Sequence, residues 1–123
     1  MTLVDTGIWI AHFRHGDARL RRLLESRLVL GHAFVIGELA CGRIAERATV
    51  LRLLRELPQA VMAEPEEVLG FIEQHDLAGA GIGYVDAHLL ASAALTPGAL
   101  LWSGDRRLAA VAGRLGLAMP AEG

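Results

Sequence analysis

The chain has 123 residues, enough for one domain and too few for two ordinary ones. Its single cysteine, Cys41, excludes an internal disulfide and a cysteine-rich zinc site, and net charge −2 gives no overall basic character toward nucleic acid. All twelve basic side chains are arginine, and the missing lysine excludes a Walker-type phosphate loop and a Schiff-base enzyme.

The mean hydropathy of +0.38 is high, yet no uncharged run approaches the ~20 residues that a membrane span needs. The opening MTLVDTGIWI carries an acid and no basic n-region, so no signal peptide and a cytoplasmic location are expected. Met1–Val4 reads as a short buried strand whose carboxyl end delivers Asp5. Thr6-Gly7 is expected to turn the chain into a short apolar helix beginning at Ile8. Asp17–Glu25 reads as an amphipathic helix, with Leu20, Leu23 and Leu24 on one side and a solvated face of Arg19, Arg21 and Arg22.

Leu28-Val29-Leu30 is a second strand candidate. Ala33–Cys41 follows as an apolar segment in which Glu38 is the one charge. Such an acid sits on an exposed stripe, pairs with Arg43, or belongs to a site. Cys41, among Leu39, Ala40 and Gly42, reads as a buried packing residue. Ala45–Leu57 is a further amphipathic helix stopped by Pro58, and Ala60-Val61-Met62 is a short strand candidate. Pro65 opens the next helix ahead of Glu66-Glu67, and that helix runs to about His75.

Three glycines, Gly79, Gly81 and Gly83, then lead into Tyr84-Val85-Asp86 and an apolar helix that ends near Thr96-Pro97-Gly98. Ala99–Trp102 is a buried strand, Ser103-Gly104-Asp105 a loop, Arg106–Arg114 a helix, and Leu117-Ala118-Met119 an edge-strand candidate. Short apolar strands alternating with helices imply an α/β fold, a mainly parallel short sheet sandwiched between helices, in one domain over residues 1–123.

In open α/β sheets the site lies outside the carboxyl ends of the strands. Asp5 and Asp105 are placed there by pattern, and Asp86 and Glu38 are compatible with it. Unit charges ~4 Å apart repel by about 4 kcal/mol at an effective dielectric of 20. Four gathered carboxylates therefore need protons, arginines or a divalent cation. An all-oxygen set suits Mg²⁺ or Mn²⁺, which orients and activates water for phosphodiester hydrolysis. Thr6 and Ser103, each next to an acid, are candidates to hold a carboxylate or a water, or serve as turn hydroxyls. The five histidines have no metal-ligand spacing and read as surface or packing residues.

Leu3-Val4-Asp5-Thr6-Gly7, Glu38-Leu39, Tyr84–Ala91 and Leu101–Leu108 together resemble the motifs of PIN-domain ribonucleases, above all the toxins of VapBC-type toxin–antitoxin pairs. The resemblance implies a PIN-like domain in which Asp5, Glu38, Asp86 and Asp105 are catalytic and Asp5, Asp86 and Asp105 hold Mg²⁺ or Mn²⁺. It also implies an RNA substrate such as tRNA or rRNA, a cognate antitoxin and a homodimer. Ser103 stands where the family often has Thr, and the hydroxyl is kept. Arg106 and Arg107 beside Asp105, with Arg43 and Arg47 after Glu38, are candidate RNA phosphate contacts.

Three other readings compete. One is an RNA-processing nuclease without antitoxin, and a second is a non-catalytic RNA- or protein-binding domain on the same fold. The third is a phosphotransfer domain, which the absent lysine and Gly7, where a second Asp would stand, count against.

Overall fold

Three short apolar runs pair into a parallel sheet in the computed structural model, which describes residues 1–121; the last two residues of the expected domain lie outside that range. The strand β1 (Thr2–Val4) is central, between β2 (Val29–Leu30) and β3 (Leu100–Trp102). Leu3 lies opposite Leu30 and Leu101, and Val4 opposite Trp102. Leu3 and Val4 point to opposite faces of the sheet, yet both are fully buried. Helices therefore cover both faces, as the apolar strands imply.

The helices α1 (Thr6–His15) and α2 (Ala18–Glu25) connect β1 to β2. Between β2 and β3 run α3 (Ala33–Ala40), α4 (Arg47–Glu56), α5 (Pro65–Gln74) and α6 (Tyr84–Leu95), and α7 (Arg106–Arg114) follows β3. Local chemistry accounts for most starts. Asp17 accepts from the Leu20 N–H, and Pro65 opens α5 within a Glu64–Glu67 capping box. The helix α6 is buried continuously from Ala87 to Ala93, as a helix apolar all round must be.

His32 binds α3 to α6. Its Nδ1 accepts from the Phe34 N–H at 3.0 Å, which caps α3, and its Nε2 lies 2.9 Å from Ser92 Oγ on α6. With Nδ1 an acceptor, the ring is neutral and Nε2–H donates to Ser92. Burial, and then the neighbouring His88, depress the His32 pKa from 6.5 to about 4.

The structure corrects several sequence expectations. Thr6-Gly7 is not a turn but the first residues of α1: Asp5, in extended conformation, takes the Thr6 N–H on its carboxylate and caps the helix. Cys41 is exposed rather than buried, because the core-facing stripe of α3 is Val35 and Leu39, and Cys41 lies past the helix end on another side. Residues 60–62 form no strand. Gln59 makes one parallel bridge with Gly31, and the next donors, Val61 N–H and Ala63 N–H, turn to Thr96 Oγ1 and Ser92 Oγ. Leu117–Met119 likewise reduces to one bridge, Ala118 with Leu101, before Pro120, which has no N–H to continue it. Arg19 is not simply solvated, since its guanidinium lies 5.2 Å from the Trp102 ring centre and donates to the Pro120 carbonyl.

The depressed pKa makes His32 a source of acid sensitivity. The unfolded chain takes up the proton near pH 6.5 and the folded chain only near pH 4, so its contribution to stability is present above pH 6.5 and lost as pH falls through that window. Denaturant unfolding at pH 7 and pH 5 is expected to show a loss of about 2 kcal/mol from this group. That loss should shrink in His32→Asn, which keeps a capping side chain. An identical pH dependence in the variant would remove His32 as the cause.

Candidate active site

Asp5 is brought to the sheet edge by its place directly after β1, where its N–H is bound by the Trp102 carbonyl at 2.9 Å. One carboxylate oxygen accepts from the Thr6 N–H at 2.8 Å and the other from Ser103 Oγ at 2.7 Å. The same Ser103 oxygen accepts from the Asp105 N–H at 3.0 Å, so one hydroxyl joins the ends of β1 and β3. Asp105 caps α7 by accepting from the Leu108 N–H at 3.0 Å. Glu38, exposed on α3, is held by Thr6 Oγ1 at 2.7 Å rather than by Arg43.

Asp86 stands in the first turn of α6 and accepts from the Gly83 N–H at 3.1 Å. Its carboxyl pKa is raised, first by burial and then by the charges of Asp5, Asp105 and Glu38; the Gly83 hydrogen bond opposes the rise. Asp5, Asp105 and Glu38, from three other elements, thus act on Asp86 at the carboxyl edge of the sheet. None of them is ion-paired with an arginine among the described residues.

Asp86, Asp105 and Glu38 each use one oxygen in a hydrogen bond and keep the other free among the described residues. Hard carboxylate oxygens in mutual repulsion fit a Mg²⁺- or Mn²⁺-type ion. As the side chains stand, no three potential ligands among the described residues are grouped closely enough to share one ion.

The remaining candidates separate. Arg107 lies across the glycine loop: Gly81 has φ +83°, and a Cβ there would come within 2.7 Å of Arg107 Cδ, so both backbone conformation and close approach favour glycine. Arg106 is exposed at the start of α7. Arg47, a candidate RNA contact in the sequence, instead donates to the Gly42 carbonyl at 3.0 Å and to that of Ala40, closing the end of α3. His88 is buried, with its ring 4.4 Å from that of Phe34 and 5.0 Å from that of Tyr84. It and His75, stacked on Phe71, are packing residues. The sequence reading missed the His32–Ser92 bridge, which joins the helices that carry Glu38 and Asp86.

A short parallel sheet between helices, with four acids converging at its carboxyl edge, defines a PIN-type domain, and residues 2–114 match the family model of the PIN domain. The chain belongs to this family. It is 46% identical over 122 residues to Ribonuclease VapC32 of Mycobacterium tuberculosis, in both strain CDC 1551 and strain H37Rv. The match covers 99% of this chain and 98% of the relative, so the chain is a VapC ribonuclease homologue along its whole length.

The raised pKa of Asp86 has a consequence for stability. The folded state holds that proton more tightly than the unfolded chain, so the group disfavours the fold once pH rises above the ordinary aspartate value of 3.8. Asp86→Asn keeps an acceptor for Gly83 and removes the charge. It is expected to raise Tm at pH 7 relative to the wild type, and by less at pH 4, where the wild-type carboxyl is protonated. An unchanged or lower Tm in a thermal scan would mean that repulsion at this edge is not significant.

Proposed function

We propose that the protein is a Mg²⁺- or Mn²⁺-dependent endoribonuclease acting as the toxin of a toxin–antitoxin pair in the cytoplasm. The observation that carries this reading is the partly buried Asp86 among the charges of Asp5, Asp105 and Glu38, with no arginine ion-paired to them among the described residues. In this reading Asp5, Asp86 and Asp105 hold the ion, and Glu38 completes the acidic pocket. The ion, when bound, supplies an activated water and neutralises charge on the scissile phosphodiester. Ser103 and Thr6 orient Asp5 and Glu38 through the hydrogen bonds already made.

Homology to Ribonuclease VapC32 supports RNA as substrate and a cognate antitoxin as partner, and the motif resemblance adds tRNA and rRNA as candidates. A homodimer or a bound antitoxin would cover apolar side chains that the monomer leaves out, such as Leu53, 51% exposed, and Leu69, 53% exposed. No helix among the described residues is long and apolar enough to cross a membrane.

The test is cleavage of total cellular RNA by the purified, antitoxin-free protein with Mg²⁺, Mn²⁺ or EDTA. Discrete fragments are expected that need the metal and disappear in Asp86→Asn. Ser103→Ala, which strips a partner from both Asp5 and Asp105, should lower the cleavage rate about 10–100-fold, the usual cost of losing a group that orients a metal ligand. Folded protein that cleaves nothing, or cleavage that survives EDTA and the Asp86 substitution, would overturn the reading.

A further inference from the structure

Beside the acid cluster, a cleft of about 300 Å³ opens between the end of α1 and the loop from α3 to α4. Glu38 forms part of its wall, so the cleft adjoins the acidic pocket. Its apolar lining includes Phe13, Ile10 and Ile44, and Phe13 and Ile10 are each 38% exposed. Arg14 and Arg43 also line it. Neither makes a hydrogen bond or ion pair among the described residues. Arg47 fastens the α3–α4 loop to the end of α3, which holds this side of the cleft in shape.

We propose that this cleft receives one nucleotide of a single-stranded RNA next to the phosphodiester at the acid cluster. The base lies on Phe13 and Ile44, and Arg14 and Arg43 take the flanking phosphates. The proposal rests on the reading of the acid cluster as an RNA-cleaving site. A chain of net charge −2 that gathers four acids repels a polyanion, so attraction has to come from arginines beside the pocket. An exposed aromatic floor with guanidinium groups is what a base and its phosphates require together. The size, at the small end of ligand clefts, suits one nucleotide. The larger apolar groove of about 510 Å³ bounded by Trp9, Leu24 and Leu54 is lined by none of the four acids.

The experiment is fluorescence anisotropy of a labelled random-sequence RNA octamer in EDTA over a range of NaCl, with metal-supported RNA cleavage measured alongside. Arg14→Ala combined with Arg43→Ala is expected to weaken binding at least tenfold. It should also flatten the slope of log K against log salt by about 1.4, the value for two phosphates on a single strand. Phe13→Ala should weaken binding between about five- and a hundred-fold with the slope unchanged, as lost stacking predicts. Arg52→Ala with Arg55→Ala, an equal charge change on the exposed face of α4, should change neither.

Binding and slope that are unchanged in the Arg14/Arg43 variant, with circular dichroism showing a folded protein, would overturn the assignment. So would an equal loss in the α4 control. Unchanged RNA binding with lost affinity for a carboxylate-bearing peptide would give the cleft to a protein partner and likewise overturn it. A wild-type protein that fails to cleave RNA, but loses binding as described in the variants, would retain the cleft and sink the nuclease reading alone.

Discussion

Carboxylates that folding brings to one sheet edge have to be held there against partial burial and against one another's charge. Folding brings Asp5, Asp105 and Glu38 within electrostatic reach of Asp86 from widely separated positions, and burial followed by their charges raises the Asp86 pKa. No arginine among the described residues offsets this by pairing with these acids. The fold therefore holds an arrangement that opposes folding, as functional sites commonly do.

What holds the arrangement is a set of hydrogen bonds to the anionic groups. The N–H groups of Thr6, Gly83 and Leu108 at three helix starts each donate to an acid, which satisfies orphan backbone donors and fixes the carboxylates together. Thr6 Oγ1 and Ser103 Oγ then tie α1 to Glu38 and β3 to Asp5 across 32 and 98 residues of chain. Charge-assisted bonds of this kind are stronger than neutral ones. The buried helix α6 and the His32–Ser92 bridge supply a stiff backing against which these bonds hold.

The arginines divide by position into structural and available. Arg47 closes a helix end and Arg19 covers Trp102, so both are occupied by the fold. Arg14 and Arg43 frame the cleft next to Glu38, while Arg106 and Arg107 stand by Asp105 on another border of the acidic pocket. A weakly acidic chain can in this way offer a polyanion local positive charge near the acids without a basic overall balance.

Features that depend on residues a few positions apart are legible along the chain. The strand before Asp5, the start of α5 at Pro65, the glycine approach to α6 and the whole span of α7 follow from periodicity, capping and chain breakers, whose physics acts within about one helical turn. The four acids were legible because three sit at element ends and the fourth is a charge in an apolar helix. The remaining features arise from packing between distant elements. Cys41 faces outward, Val61 and Ala63 give their N–H groups to the Thr96 and Ser92 hydroxyls, and His32 meets Ser92, a residue 60 positions away. Nothing local distinguishes Arg14 from any basic residue that suits the last turn of a helix. Its neighbourhood with Arg43 and Glu38 exists only once α1 lies beside the α3–α4 loop, because side-chain partners are set by packing between elements rather than by spacing along the chain.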